Sequence, residues 1–220
     1  RVAERKAKVA TGLAAGLERA RTANPIETPW LAHCLNEALA PEDILVSESQ
    51  LPIPYLSRTV PGTYFGTPSA GGLGWGMGAA LGVKLGAPDR TVVSVVGDGS
   101  YMFNGPTPAH YVSRAMDLPT LTVIVNNGMW GSVRKATLGL YPEGAAAKSN
   151  RAPLTVFDPV PDYEKVVEAS GGHGERVENP AELPAALARC LKMVREERRQ
   201  AVLNVRTSYS DSQALADSKR

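Results

Sequence analysis

Two apolar runs constrain this chain more than anything else in it. Thr91-Val-Val-Ser-Val-Val96 and Leu121-Thr-Val-Ile-Val125 lack the polar alternation of a half-solvated strand. Strands of that kind are buried on both faces, which calls for a parallel sheet covered by helices on either side. The rest of the pattern agrees. Hydrophobic spacing predicts helices over residues 1–21, 26–40, 71–86, 108–116, 162–171 and 180–198, with further strands over 44–47 and 201–206. Thr28 is the expected N-cap of the second helix, with Pro29 in its first turn. Residues 48–70, which hold Pro52, Pro54, Pro61 and Pro68, read as a long connection, and residues 128–152 as a loop with helical patches. The fold class is therefore α/β, a doubly wound and mostly parallel sheet with helices on both faces.

Composition narrows the function classes. A net charge of +2 over 220 residues gives no footprint for nucleic acid. No apolar run approaches the ~18–20 residues of a membrane span, and no signal peptide is visible. Cys34 and Cys190 stand far apart in amphipathic stretches, as expected of two buried, reduced thiols in a cytoplasmic protein. His33, His110 and His173 show no metal-ligand spacing and read as structural or surface residues. Trp75 and Met77 read as packing residues, and the charges of residues 1–21 and 195–199 as solvated helix faces. The chain opens on Arg1 inside a charged helix, so residues 1–23 are expected to be a linker helix continuing from an upstream region. Residues 24–208 would form the domain and residues 209–220 a polar tail.

Each of the two runs ends in a chemically distinctive turn. The first leads into Gly97-Asp98-Gly99-Ser100 and the second into Asn126-Asn127-Gly128, with 26 residues between Gly99 and Asn126. That spacing accommodates a strand end, a crossover helix and the next strand. In an open parallel sheet, ligands bind beyond the carboxyl ends of the strands, where both turns fall. A hard carboxylate, a neutral amide oxygen and a backbone carbonyl suit octahedral Mg²⁺ together with phosphate oxygens. Glycines on either side of Asp98 permit close approach of a phosphate, and Ser100 can donate from a helix start.

In these residues the chain resembles the thiamine diphosphate (ThDP) enzymes, whose signature is Gly-Asp-Gly followed after about two dozen residues by Asn-Asn. Gly71-Gly-Leu-Gly-Trp-Gly-Met-Gly-Ala-Ala-Leu-Gly82 and Asn126-Asn-Gly-Met-Trp-Gly-Ser-Val-Arg134 extend the likeness. The chain is similar to the C-terminal pyrophosphate-binding (PP) domain of the benzoylformate decarboxylase and acetolactate synthase group. The resemblance implies that Asp98, Asn127 and the backbone carbonyl of Met129 ligate Mg²⁺. Gly97, Gly99, Ser100, Trp130 and Gly131 would hold the diphosphate, joined by Ser49 and Gln50. The Gly71 carbonyl would accept a hydrogen bond from the cofactor's 4′-amino group, and Leu73 would wedge the cofactor into its bent form. It also implies a 2-oxo acid substrate, a decarboxylase or carboligase reaction, and a homo-oligomer, dimer or tetramer. The family's cofactor-activating glutamate belongs to a pyrimidine-binding (PYR) domain, expected from the same gene or another chain. Glu48 falls in the diphosphate turn, at the wrong end of the cofactor to replace it.

Two features depart from the pattern or compete with it. Asn104-Gly-Pro-Thr-Pro108 replaces the more regular helix entry after Gly-Asp-Gly. The Gly72-x-Gly74 run could be a dinucleotide fingerprint, but it does not follow a predicted strand as that fingerprint requires. The absence of an acetolactate synthase substrate motif after Asn127 favours the decarboxylase or lyase side over an acetolactate synthase-like transferase. A non-catalytic ThDP-binding assembly subunit is the reading from another class.

Overall fold

The computed structural model describes residues 1–49, 51–67, 69, 72–149 and 155–208. The strands are β1 (Ile44–Ser47), β2 (Tyr64–Phe65), β3 (Val92–Gly97), β4 (Leu121–Asn126), β5 (His173–Val177) and β6 (Ala201–Arg206). They form one sheet in the order β2-β1-β3-β4-β6-β5, and every pairing is parallel. The helices are α1 (Val2–Arg21), α2 (Thr28–Ala38), α3 (Gly76–Gly86), α4 (Asp98–Phe103), α5 (Pro106–Ala115), α6 (Gly131–Leu140), α7 (Ala145–Lys148) and α8 (Leu183–Arg195).

The apolar runs feed two cores because alternate residues of a strand point to opposite faces. Val93, Val95, Leu121, Val123 and Leu203 point to one face, where α2 and α8 cover them with Leu31, Leu35, Leu187 and Leu191. Val96, Ile124 and Val202 point to the other, against Met77 of α3, Tyr101 of α4 and Tyr163. Ile44, Val46 and Val92 complete that second side with Ala80. Burying each such side chain contributes about 1.5–3 kcal/mol, so the central strands are fixed from both sides.

Several boundaries differ from the sequence expectation. The helix expected over 71–86 begins at Gly76, because Gly74 sits at φ +82 and cannot continue a right-handed helix. The N-cap of α2 is Glu27 rather than Thr28, which is the first helical residue with Pro29 behind it. The expected helix over 162–171 is two 3₁₀ turns, Tyr163–Lys165 and Val167–Ser170. Gly174 of β5 passes so close to the Glu164 carbonyl that a Cβ there would lie 2.0 Å away, so β5 packs directly against the first of these turns. The helices expected over 108–116 and 180–198 are present as α5 and α8, shifted or trimmed at their ends, and α5 starts at Pro106 behind a left-handed Gly105. Strands β2 and β5 lie at the sheet edges and carry no apolar run that would announce them.

The expected solvated face of residues 195–199 is partly tied down. Arg195 pairs with the buried Asp43 at 2.5 Å, and Arg199 donates to the Gly171 and Gly172 carbonyls. Cys34 and Cys190 are free and buried, and burial pushes both thiols up to about 12. No helix among the described residues is long and apolar enough to cross a membrane.

Candidate active site

The register of the sheet brings the two turns together. Gly97 pairs with Val125 across β3 and β4, and Asn126 with Arg206 across β4 and β6. Three strands therefore end at the same level, with Asp98 and Asn126-Asn127 side by side. β1 reaches the same end: the N–H groups of Glu48 and Ser49 both donate to the Val95 carbonyl, at 2.8 and 3.2 Å.

Asp98 is 2% exposed and belongs to the first turn of α4. Its Oδ1 accepts from the Gly99 N–H at 2.9 Å, and its Oδ2 from the N–H groups of Gly128 and Met129 at 2.7 and 3.2 Å. Burial pushes its carboxyl up to about 6, even though these three N–H groups and the Arg206 guanidinium pull it down. A carboxylate desolvated to that degree gains strongly from a cation. The Met129 N–H is shared with Asn127 Oδ1 at 3.0 Å, so one amide holds the two side-chain oxygens next to each other. The Met129 carbonyl accepts from the Gly131 N–H at 2.8 Å, closing the turn that leads into α6.

Asn126 organises this cluster from beneath. Fully buried, it accepts from the Gly128 N–H at 3.1 Å and from Arg206 Nη1 at 2.8 Å, and it donates to Asn204 Oδ1 at 2.9 Å. Asn204 in turn donates to Glu164 at 2.7 Å. Neither Asn204 nor Arg206 stands out in the sequence, because each becomes relevant only through the β4–β6 register.

Above these oxygens lies a cavity of about 480 Å³, walled among others by Glu48, Ser49, Leu73, Asp98, Ser100 and Trp130. Gly97, Gly99, Asn127, Met129 and Gly131 also line it, so all the expected site residues within the described part of the chain converge here. Gln50 and Gly71, expected to contact the cofactor, lie outside the described residues. Gly99 is required by the packing: a Cβ there would lie 2.5 Å from the Trp130 ring, which is braced edge-on by Phe157.

Glu48 turns out to be structural. Its Oε1 accepts from the Gly74 N–H at 2.5 Å and its Oε2 from the Gly76 N–H at 2.7 Å, so the carboxylate caps the start of α3. A Cβ at Gly76 would meet that carboxylate at 2.9 Å, which explains one glycine of the run. Met77 is buried as expected of a packing residue, whereas Trp75 also lines the cavity, and its indole N–H has no hydrogen-bond partner.

The chemistry of these residues would fit a magnesium–diphosphate group. The donors are hard oxygens, the carboxylate is desolvated, and glycines flank it. Residues 49–205 match the profile of the thiamine pyrophosphate enzyme C-terminal TPP binding domain. The chain belongs to this family. It is 38% identical over 130 residues to a probable acetolactate synthase of Mycobacterium bovis, covering 59% of this chain and 22% of that protein. A benzoylformate decarboxylase of Pseudomonas aeruginosa is 38% identical over 103 residues, covering 44% and 19%. A 2-hydroxyacyl-CoA lyase of Oryza sativa subsp. japonica is 33% identical over 154 residues, covering 68% and 24%. The chain thus spans about a quarter or less of the length of these relatives. The solved ThDP-dependent 4-hydroxybenzoylformate decarboxylase of Rhodococcus jostii RHA1 shares the fold, with a TM-score of 0.72 and 24% identity over 86% of this chain and 34% of that one.

Proposed function

We propose that this chain supplies the diphosphate- and metal-binding half of a ThDP- and Mg²⁺-dependent active site acting on 2-oxo acids. The observation that carries this reading is the desolvated Asp98 carboxylate, set beside Asn127 at the floor of the cavity. Asp98, Asn127 and the Met129 carbonyl would hold the ion. Gly97, Gly99, Ser100, Trp130 and Gly131, with Ser49 and Gln50, would hold the diphosphate, and Gly71 and Leu73 would serve its reactive end. When bound, the cofactor supplies the electron sink for breaking or forming the carbon–carbon bond next to the carbonyl.

The residues of this chain bind, orient and exclude water. With both oxygens of Glu48 engaged by backbone N–H groups, the carboxylate that activates the cofactor comes from a PYR domain, in the same gene or another chain. In this reading the complete site forms between that domain and this one in a dimer or tetramer. The reaction is decarboxylation or a related lyase step, with an acetolactate synthase-like transfer as the alternative; relatives of both kinds support the pair.

Calorimetry of ThDP with Mg²⁺ and with a chelator, followed by product analysis of the whole protein on 2-oxo acids, tests the proposal. Binding that requires Mg²⁺ and release of an aldehyde or a condensed product are expected. ThDP binding indifferent to Mg²⁺ would overturn the metal assignment. Tight binding without turnover would point instead to a non-catalytic assembly subunit.

A further inference from the structure

At the opposite edge of the sheet from β2, β5 brings two ligating side chains under α8. Alternate residues of a strand share a face, and Val177 is buried in the core that α8 covers. The same period directs His173 and Glu175 toward α8. Cys190 of α8 faces them and is fully buried. The three ligating atoms, one from each side chain, lie within 4.8 Å of one another, and His173 Nε2 is 3.5 Å from Glu175 Oε2. That nitrogen is buried and makes no hydrogen bond, which is uncommon for a buried polar atom. Arg189 grips the Glu175 carboxylate with two guanidinium nitrogens and fixes its orientation.

We infer that His173, Glu175 and Cys190 form a site for a soft divalent transition metal, zinc above all, separate from the cofactor cavity. One imidazole nitrogen, one carboxylate oxygen and one thiolate leave a fourth tetrahedral position for water. Tetrahedral zinc with bonds of about 2.0–2.2 Å to nitrogen and oxygen places those two atoms roughly 3.4 Å apart, close to the spacing seen here. The sulfur needs to approach by roughly 1.3 Å at most, within the reach of small side-chain rotations. Arg189 then acts as the outer partner that orients the carboxylate. Magnesium, which prefers oxygen ligands, does not compete for a site containing thiolate and imidazole. The bound ion would tie the edge strand β5 to α8, and so stabilise that edge of the sheet.

Titration with Co²⁺ in the presence of saturating Mg²⁺ tests the assignment, with the fold of each variant checked by circular dichroism. One equivalent should bind and produce a thiolate-to-cobalt charge-transfer band in the near ultraviolet. Cys190→Ala should abolish the band, His173→Gln should weaken binding by about tenfold or more, and Cys34→Ala should leave both unchanged. The partly exposed His173 makes its variant the safer one for folding. A protein that shows no band overturns the site, as does a band that survives in C190A or full affinity in H173Q.

Discussion

At the scale of single residues, Asp98 has two roles that can be separated. Its three N–H partners shape the turn, while its ionised form is costly until a cation arrives. Asp98→Ala should abolish Mg²⁺-dependent ThDP binding in calorimetry while leaving the circular dichroism spectrum intact. In the native protein, Mg²⁺ affinity should fall as the pH drops through about 6, because protons then compete for the same carboxylate; affinity unchanged between pH 5 and 8 would contradict the role. Gly99→Ala should push Trp130 from the cavity wall and weaken ThDP binding about tenfold or more, since its Cβ would collide with a braced ring. Leu73 lines the cavity and is 44% exposed. Leu73→Ala should lower kcat more than ThDP affinity, and a loss confined to affinity would remove its wedge role.

At the scale of elements, the start of α3 depends on a residue from a different strand end. Glu48 follows β1, yet it satisfies the N–H groups of Gly74 and Gly76. Glu48→Ala should cost about 1–3 kcal/mol in urea unfolding, the range for leaving partly buried donors unpaired. If Glu48 served only the cofactor, the variant would lose activity and keep its stability. This cap was hidden from the sequence, because Glu48 and Gly74 lie 26 positions apart. The strands β3 and β4 were legible because their apolar runs are local and long. β5 was not, since His173-Gly-Glu-Arg-Val177 at a sheet edge needs little hydrophobicity. The segment 162–171 shows the same limit: its composition suits a helix, yet it folds as two 3₁₀ turns packed against Gly174 of β5.

At the scale of the whole molecule, a buried polar chain joins α4, α5 and the entry to β6. Gln200 Nε2 donates to the His110 carbonyl at 2.9 Å, so its Oε1 must accept from His110 Nδ1 at 2.8 Å. His110 Nε2 then accepts from the Tyr101 hydroxyl at 2.8 Å. The expectation of a structural histidine thus holds, although its position, 3% exposed between Tyr101 and Gln200, could not be read from its isolated place in the sequence. Burial lowers the His110 pKa from its ordinary 6.5, so the folded state refuses a proton that the unfolded state accepts. The resulting stability is fully present above about pH 6.5 and is lost as pH falls below it, at up to about 1.4 kcal/mol per pH unit. Replacing His110 with Gln should lower stability at neutral pH and flatten this slope in chemical denaturation between pH 5 and 7. An unchanged slope would show that other groups govern the acid limb.

What the sequence determined alone was the part written in local chemistry: two strands buried on both faces, and the glycine, acid and amide turns that end them. Those signals survive without tertiary information because periodicity and turn preference act over a few residues. Only the tertiary structure decided which strand ends meet, which carboxylate caps α3, and which side chains line up beneath α8. Those relations depend on register and on strand order, where neighbours in space are distant in the chain.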